Sequence, residues 1–536
     1  MKTRLCGAGA ALGVLLAIAA LPAPASADPG TPVALPLGPS DLPETRTTRT
    51  LQPGVTLTRI VRGSLDPAHR WTVEASIPAG DDSPDPDAPA TTLKDRASAD
   101  ELAATLRGEG FEARVEQVTT PETADYEGGV LGWRVRVGSF EAQADATAER
   151  TRLRAAGHTG AVTYTGWDGE STDRGPWRVD VLTIDPSVFR GSLDASYGPD
   201  LENRETTSAL ANAAGATAAV NGGFFVFDSR FGAPGDPAGV GMYDGRLLSE
   251  PVSGRPALVV QADGRRNQVT RLTWQGQVVS GRSSLTLNGI NRVPGLIRNC
   301  GGSPGDSPTA LPLHDATCTN PDQLIAFTSD YGPVTPQGEG VEAVLGADHR
   351  VVEVRSSRGG PLPAGGSSIQ ATGRHVAALK ALARPGVRLY IRTALRSDEG
   401  REIPASRRTN VINAGPELVR DGQLHVTPAT DGMVHDGNPS WYYGWVHKRN
   451  PRTLAGTDAA ARTVFITADG RGTDSLGLSI TEAAAVAQSL GLHDAVNLDG
   501  GGSTTMVANG SVINTPSDAA GERPVGDALL ILPPPN

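Results

Sequence analysis

The chain contains little lysine, little cysteine and few aromatic residues. Only four of its 536 residues are Lys, and 48 Lys and Arg residues face 59 Asp and Glu residues, for a formal net charge of −11. A general nucleic-acid binder needs clustered positive charge, so this balance argues against a nucleic-acid partner. Because the other 44 basic residues are Arg (48 less four), we expect guanidinium groups to bind any anionic ligand.

The three cysteines indicate the compartment. Lys2 and Arg4 precede an apolar run at residues 8–21 that ends before Ala25-Ser-Ala27, a pattern typical of a secretory signal peptide over residues 1–27. The run is short for a membrane span, so we expect a secreted or cell-wall-associated protein with no membrane span after signal removal. Cys6 would leave with the signal. In an oxidising compartment, Cys300 and Cys318 are predicted to form a disulfide.

The rest of the chain divides by its hydrophobic pattern. Residues 28–67 are rich in Pro, Thr and Gly and are predicted to be a linker. Residues 68–167 show strand, helix and strand patterns twice, which predicts a small α/β sandwich. From 175 to 536 strands with frequent turns dominate, and only residues 479–491 show a clear late helix. We therefore predict an α+β protein, in which the small sandwich precedes a larger, mixed, strand-rich α+β domain.

Polar loops of one type recur in this larger domain. Each places an amide, carboxylate or guanidinium side chain beside glycine at the end of an apolar strand, a position where binding sites are commonly built. These loops occupy residues 221–225, 413–422, 449–456, 467–471 and 497–503. The last, Asn497-Leu-Asp-Gly-Gly-Gly-Ser503, carries three consecutive glycines, which cost backbone entropy on folding and so indicate positive φ or a close approach.

Six motifs in order resemble the phosphodiester glycosidases of the N-acetylglucosamine-1-phosphodiester α-N-acetylglucosaminidase type. They are Asn221-Gly-Gly-Phe-Phe225, Asn450-Pro-Arg-Thr453 with Gly456, Asp469-Gly-Arg471, Gly477-Leu-Ser-Ile-Thr-Glu482, residues 497–503, and Asn514 with Pro516. In the smaller domain, Trp133-Arg-Val-Arg-Val-Gly-Ser-Phe140, the helix that starts near Ala142, and residues 153–157 resemble the SPOR family. That second resemblance implies binding to peptidoglycan glycan strands.

The first resemblance implies cleavage of the sugar C1–oxygen bond of a sugar-1-phosphodiester, which releases a phosphate monoester. This chemistry needs an anion clamp and a carboxylate that faces the sugar. Arg452 and Arg471, helped by the amides of Gly500 and Gly501, are the expected clamp. Asp499 is the expected nucleophile or base, with Glu482 or Asp469 as its partner. The other expected substrate-binding residues are Asn221, Gly222, Thr453, Asn497, Ser503, Trp441 and Trp445.

Several alternatives stay open. Glu482 follows Ser479 by three residues and could only cap a helix, while Asp469 and Asn221 could only shape backbone. Arg452 could pair with a buried carboxylate, and the two tryptophans could plug the core. No cofactor is required, and Ca²⁺ bound by oxygens near Asp469 and Asp499 is left open because the ligand spacing of known motifs is missing. The competing functions are a phosphate-independent glycosidase and a non-catalytic binder of cell-wall glycan.

Overall fold

The computed structural model describes residues 33–77, 90–252, 254–298, 305–308 and 317–535. The predicted signal peptide and Cys300 lie outside the described residues, and Cys318 is disulfide-bonded. Residues Ala34–Asn536 form one unit by their contacts. In the described ranges, no helix has the length and apolar character needed to cross a membrane.

The small α/β sandwich is confirmed. Its sheet has the order Ala113–Thr120, Gly129–Phe140, Trp71–Ala75 and Gly160–Tyr164, with every neighbour antiparallel. Helices Arg96–Gly108 and Gln143–Ala155 cover one face. Val73, Val135 and Val137 point into the core beneath these helices, because alternate residues of a strand lie on one face of its sheet.

The helix-free face of this small sheet is covered by the larger domain. Arg136 lies there at 2% exposure and binds both oxygens of Asp168, at 2.6 and 2.7 Å. Arg134 binds the same carboxylate at 3.0 and 3.1 Å. The hydroxyl of Tyr443, from the larger domain, donates to Glu74 at 3.0 Å. The two predicted domains therefore share a buried, hydrogen-bonded charge cluster.

The expected linker at residues 28–67 is wrong at residues 44–62. Strands Glu44–Gln52 and Val55–Arg62 form a hairpin that pairs with Trp177–Ile184. The reason lies in Val55, Leu57 and Ile60, which are buried in the larger domain. Their apolar area outweighs the Pro and Thr content that suggested a linker.

Two large antiparallel sheets form the rest of the framework. The first has the order Glu44–Gln52, Val55–Arg62, Trp177–Ile184, Thr463–Ala468, Arg452–Asp458, Leu492–Asn497, Glu417–Arg420 and Gln423–Leu424. The second has the order Arg246–Ser249, Gly241–Tyr243, Thr409–Asn413, Pro256–Gln261, Gln268–Ser280, Tyr390–Ser397 and Glu402–Ile403, with Ser283–Thr286 paired to its longest strand.

Smaller sheets complete the strand-rich domain. One five-stranded sheet has the order Ser511–Val512, Met506–Ala508, Ala218–Asn221, Ala528–Leu532 and Ser192–Ser196. A second has the order Gly289–Ile290, Leu324–Phe327, Ser367–Ala371, Val341–Leu345 and Val351–Arg355. A three-stranded sheet has the order Ile297–Arg298, Thr317–Thr319 and Ser307–Pro308. Two further sheets have two strands each: Val334–Gly338 pairs with Arg358–Pro361, and Pro524–Val525 pairs with Glu205–Thr206.

Helices are short and few in the described part of the larger domain. The α-helices are Thr207–Ala213, His375–Leu382, Pro439–Tyr442 and Ile480–Ser489, with a π-helical turn at Tyr443–His447 and 3₁₀ turns at Ser229–Phe231 and Gly501–Ser503. A further 3₁₀ turn, Thr165–Trp167, ends the small domain. The α+β class is confirmed.

Candidate functional site

Three of the expected loops meet at one edge of the first large sheet. Strand Arg452–Asp458 lies between Thr463–Ala468 and Leu492–Asn497 and is antiparallel to both. The central strand therefore begins at the edge where both neighbours end. This topology brings residues 469–471 and 497–503 beside Arg452, although they are separated along the chain.

Two of the three consecutive glycines face a guanidinium group. A Cβ on Gly501 would lie 3.1 Å from Nη2 of Arg471, and one on Gly502 would lie 2.2 Å from Nη2 of Arg523. A Cβ on Gly500 would instead lie 2.9 Å from the carbonyl oxygen of Pro451. Gly501 and Gly502 therefore make room for guanidinium groups, and Gly500 for a close approach of main chain. Gly501 also has φ of +59°, a conformation that favours glycine.

Of the two expected clamp residues, Arg452 is buried and Arg471 is half-buried. Arg452 is 3% exposed and donates to the main-chain carbonyls of Leu478, Trp445 and Lys448. Burial, reinforced by the charge of Arg471, lowers the pKa of Arg452 to about 9. In the described residues Arg452 forms no ion pair, so the expected alternative of a buried carboxylate partner is wrong. Its uncompensated charge suits an anionic ligand.

Arg471 is held in a strained position. Its φ is +57°, which is uncommon for a residue with a side chain. Its Nε donates to Oδ1 of Asn450 at 3.2 Å. Burial lowers its pKa, and the charges of Asp518 and Asp499 oppose that shift. Arg471 therefore lies near Asp499, as the sequence motifs suggested.

Asp499 stands at the start of the glycine loop. It is 9% exposed, and its Oδ1 accepts a hydrogen bond from the amide of Gly500 at 2.9 Å. Its own amide donates to the carbonyl of Gly222 at 3.2 Å. The carboxylate is thus fixed at a strand end, beside Arg471. A rigid carboxylate next to cationic groups can face a sugar that carries a phosphate.

Asn221, Thr453 and Asn497 hold the backbone of the site. The Asn221 amide donates to the carbonyl of Asp499 at 2.8 Å, and its oxygen accepts from Thr453 at 2.7 Å and from the amide of Thr505 at 3.1 Å. Asn497 donates to the carbonyl of Gly415 at 2.9 Å. These side chains position the loop, and the expectation that Asn221 contacts substrate directly is contradicted by its full burial.

Two of the expected carboxylates have structural partners. Glu482 caps its helix reciprocally with Ser479 and binds Arg449, with the shortest contact at 2.6 Å. Its candidacy as a catalytic partner is therefore not supported, because its oxygens are already used. Asp469 accepts from the amide of Thr515 at 3.0 Å and from Asn514 at 3.2 Å, and burial raises its pKa. It ties the C-terminal loop to the site edge.

The aromatic segment packs inside the protein. Trp441 and Trp445 are 5% and 7% exposed and belong to the core cluster that includes Phe224. His435 stacks on Trp441 with ring centroids 4.3 Å apart. The prediction that Trp441 and Trp445 bind substrate is therefore wrong, because both rings are buried in this core cluster.

Sequence reasoning missed Arg523 and Asp518. They form an ion pair at 2.7 Å beside Gly502, and burial raises the pKa of Asp518. They lie beyond the last motif that carried the family resemblance, so the pattern offered no signal for them. Ser503 is fully buried beside the same loop, and Gly222 packs against Asp527.

A cluster of side chains of metal-ligand type lies away from this edge of the sheet. In the described residues, the group of three ligand-type side chains with all their ligand atoms within 4.8 Å is Asp421, His493 and Asp494. Asp469 and Asp499 are not in it. The oxygen site that the sequence left open near those two residues stays a hypothesis.

Comparisons with known proteins identify two domains in the chain. The phosphodiester glycosidase family model matches residues 339–532, and the SPOR domain model matches residues 91–164. N-acetylglucosamine-1-phosphodiester α-N-acetylglucosaminidase from mouse is 32% identical over 105 residues, and the human protein is 30% identical over 102. These matches cover 19% of this chain and 20% of each relative, so the chain spans about a fifth of the length of the curated relatives.

Two solved structures resemble the whole chain. A putative exported protein from Burkholderia pseudomallei has a TM-score of 0.81 and 34% identity, over 95% of this chain and 99% of that one. A hypothetical protein from Synechocystis has a TM-score of 0.52 at 16% identity, over 91% of this chain and 76% of that one, and shows the fold alone. Residues 339–532 are therefore a phosphodiester glycosidase domain, and a SPOR domain lies ahead of it at residues 91–164.

Proposed function

We propose that the protein is an exported hydrolase that cleaves the C1–oxygen bond of a glycosyl-1-phosphodiester. The observation that carries the proposal is a pair of guanidinium groups beside Asp499 and the glycine loop, the buried Arg452 and the half-buried Arg471. Arg452 is a buried cation without an ion pair in the described residues, and such a charge destabilises a protein unless an anion offsets it. A phosphodiester supplies that anion, and its oxygens match guanidinium groups in pairs.

In this proposal Asp499 faces the sugar and the arginines face the phosphate. The C1–oxygen bond breaks, and its electron pair leaves with the phosphate as a monoester. Water supplies the hydroxyl that C1 gains, after activation by Asp499 or after attack by Asp499 on C1. Asp518 pairs with Arg523, its pKa is raised by burial, and it is proposed as the partner carboxylate because it contacts the glycine loop at Gly502, unlike the helix-capping Glu482.

The substrate is proposed to be a sugar phosphodiester, of the N-acetylglucosamine-1-phosphate type, in a cell-wall or extracellular polysaccharide. Support comes from the SPOR match, since this family resemblance implies binding to peptidoglycan strands, and from the similarity to a putative exported protein. The signal peptide proposed at residues 1–27 and the lysine-poor, acidic composition fit a secreted protein that remains at the cell wall.

The test is hydrolysis of an α-GlcNAc-1-phospho-alkyl ester by the mature chain, followed by ³¹P NMR. We expect a phosphomonoester signal, a loss of at least about 100-fold in kcat for Asp499→Asn, and a higher KM for Arg471→Met. Asp421→Asn, an exposed carboxylate elsewhere, is the matched control and should keep full activity. Retained glycan binding without turnover of any sugar phosphodiester would instead favour a non-catalytic wall-binding protein.

A further inference from the structure

Two cavities meet at the junction between the small domain and the larger domain. The first has a volume of about 440 Å³ and the second a volume of about 270 Å³. Both are lined by Thr120, Pro121, Gly169, Ser171 and His447, so they form one continuous groove, which we call the junction groove. Its size lies in the range of ligand-binding clefts, which often occur where domains meet.

The junction groove is elongated, and residues of both domains line it. At one end the first cavity reaches Gln117 and Arg134 of the small domain's sheet. At the other end the second cavity reaches Pro36 and, at the start of the late helix, Ser479. Ser171, where the two cavities meet, is exposed. An open, elongated groove fits a chain-like ligand better than a compact one.

The charged side chains that line the groove are largely compensated. Arg134 pairs with Asp168 at 3.0 Å, and Glu482 pairs with Arg449 at 2.6 Å. Within the described chain, Glu170 is the lining charge without an ion pair. Because no uncompensated cation of the described residues faces the groove, it does not favour an anionic ligand. In this respect it differs from the anion clamp at the glycine loop.

The uncharged polar groups of the groove are mainly hydroxyls and one imidazole. Thr119 and Ser171 are exposed, and their hydroxyls make no hydrogen bond in the described ranges. The ring of His447 likewise makes none within the part of the chain that the structure describes. Burial, reinforced by the charge of Arg134, lowers the pKa of His447 to about 4, so at neutral pH the ring offers one donor and one acceptor. Sugar hydroxyls donate and accept in the same way.

We propose that the junction groove binds an uncharged stretch of a polysaccharide chain, held by both domains at once. This inference rests on the proposed function, in which the reacting phosphodiester belongs to a polysaccharide. The phosphate lies against the arginines, and neutral sugar units elsewhere on the same polymer lie in the groove. Pro36 and Pro121 add rigid apolar surface for the C–H faces of sugar rings.

The groove is connected to the anion clamp through the main chain. Val446 lines the groove, and the carbonyl of the preceding Trp445 accepts a hydrogen bond from Arg452 at 2.7 Å. Ser479 also lines the groove, and the carbonyl of the preceding Leu478 accepts from Arg452 at 2.9 Å. The groove and the clamp therefore share one framework. A polymer held in the groove raises the effective concentration of its own phosphodiesters at the clamp.

The experiment titrates the mature chain by calorimetry with two uncharged probes, the N-acetylglucosamine chain chitohexaose and the glucose chain laminarihexaose. We expect saturable binding of at least one of them, and the one that binds identifies the sugar type. Ser171→Arg places a long side chain where the two cavities meet, so it should weaken binding by at least about tenfold. Thr172→Arg is the matched control and should bind like the unaltered chain, because Thr172 is exposed and lines neither cavity.

A second variant, Thr119→Arg, obstructs the groove from the small domain and should also weaken binding. Both Thr119 and Ser171 are exposed, so both variants should fold like the unaltered chain. Binding of neither hexamer, or binding that survives both replacements, overturns the proposal. Binding of a lysine peptide in place of the hexamers also overturns it. A chain that binds a hexamer but does not hydrolyse the α-GlcNAc-1-phospho-alkyl ester would confirm the groove and refute the proposed reaction, so the two failures are distinguishable.

Discussion

The replacement Gly501→Ala tests whether the glycine loop is built around guanidinium groups. Gly501 has φ of +59°, so a side chain there strains the backbone by about 1–2 kcal/mol. The added Cβ would also lie 3.1 Å from Nη2 of Arg471, which must yield by a few tenths of an ångström. Because Arg471 is fixed by its own strained backbone and by Asn450, this displacement should not relax freely.

We expect Gly501→Ala to lower the free energy of unfolding by about 1–3 kcal/mol and to lower kcat/KM for a sugar phosphodiester by at least about tenfold. Urea denaturation measures the first quantity, and the ³¹P assay measures the second. The activity loss should exceed what the stability loss explains, since most of the protein stays folded at 25 °C.

Gly491→Ala is the matched control. Gly491 also has a left-handed backbone, with φ of +85°, but nothing lies within 4 Å of a Cβ placed there. This variant should lose a similar amount of free energy of unfolding through backbone strain and should keep full activity. If Gly501→Ala were as stable and active as the unaltered chain, or if both variants lost activity equally, the proposed packing of Arg471 on the loop would be refuted.

Three further predictions concern buried charges. Asp168→Asn leaves two buried arginines without their shared carboxylate, so urea denaturation should show a loss of about 3–5 kcal/mol and proteolysis should release the small domain sooner. Glu482→Gln breaks the pair with Arg449 and weakens the helix cap, so stability should fall by about 1–3 kcal/mol while kcat is retained; a selective loss of kcat would restore Glu482 as a catalytic candidate. Burial raises the pKa of Asp527 to about 6. The protonated carboxyl therefore contributes fully to the free energy of unfolding below the unfolded-state pKa near 4, and this contribution is lost as the pH rises through 6. Asp527→Asn should therefore flatten the decline in stability between pH 4 and 7, a term of up to about 3 kcal/mol, in unfolding curves measured across that range.

Local sequence patterns predicted the helices and strands better than they predicted which strands pair with each other. Alternation at residues 71–77 and 133–140 and helical spacing between them predicted the small sandwich, because those signals depend on neighbouring residues alone. The linker prediction failed at residues 44–62, where proline and threonine content concealed an edge hairpin. Its pairing with Trp177–Ile184 depends on a strand that lies far along the chain, which composition does not reveal.

The candidate site divides in the same way. The motifs placed Asp499, Arg452 and Arg471 in one family pattern, and the glycine run indicated positive φ or a close approach, both of which Gly501 shows. Sequence spacing left the roles of Glu482 and Trp441 open between function and packing. Only the tertiary contacts decided these, through the Arg449 pair and the buried ring cluster.

The residue types and their order were sufficient for the fold class, the family resemblance and the preference for arginine over lysine. Tertiary structure alone decided which charges are compensated. Asp499, Glu482 and Asp469 are equally acidic in the sequence. In the structure Asp499 lies beside Arg471, Glu482 pairs with Arg449, and Asp469 accepts hydrogen bonds from Asn514 and Thr515. The physical reason is that the energy of a charge depends on burial and on the groups within a few ångströms, which sequence neighbours do not specify.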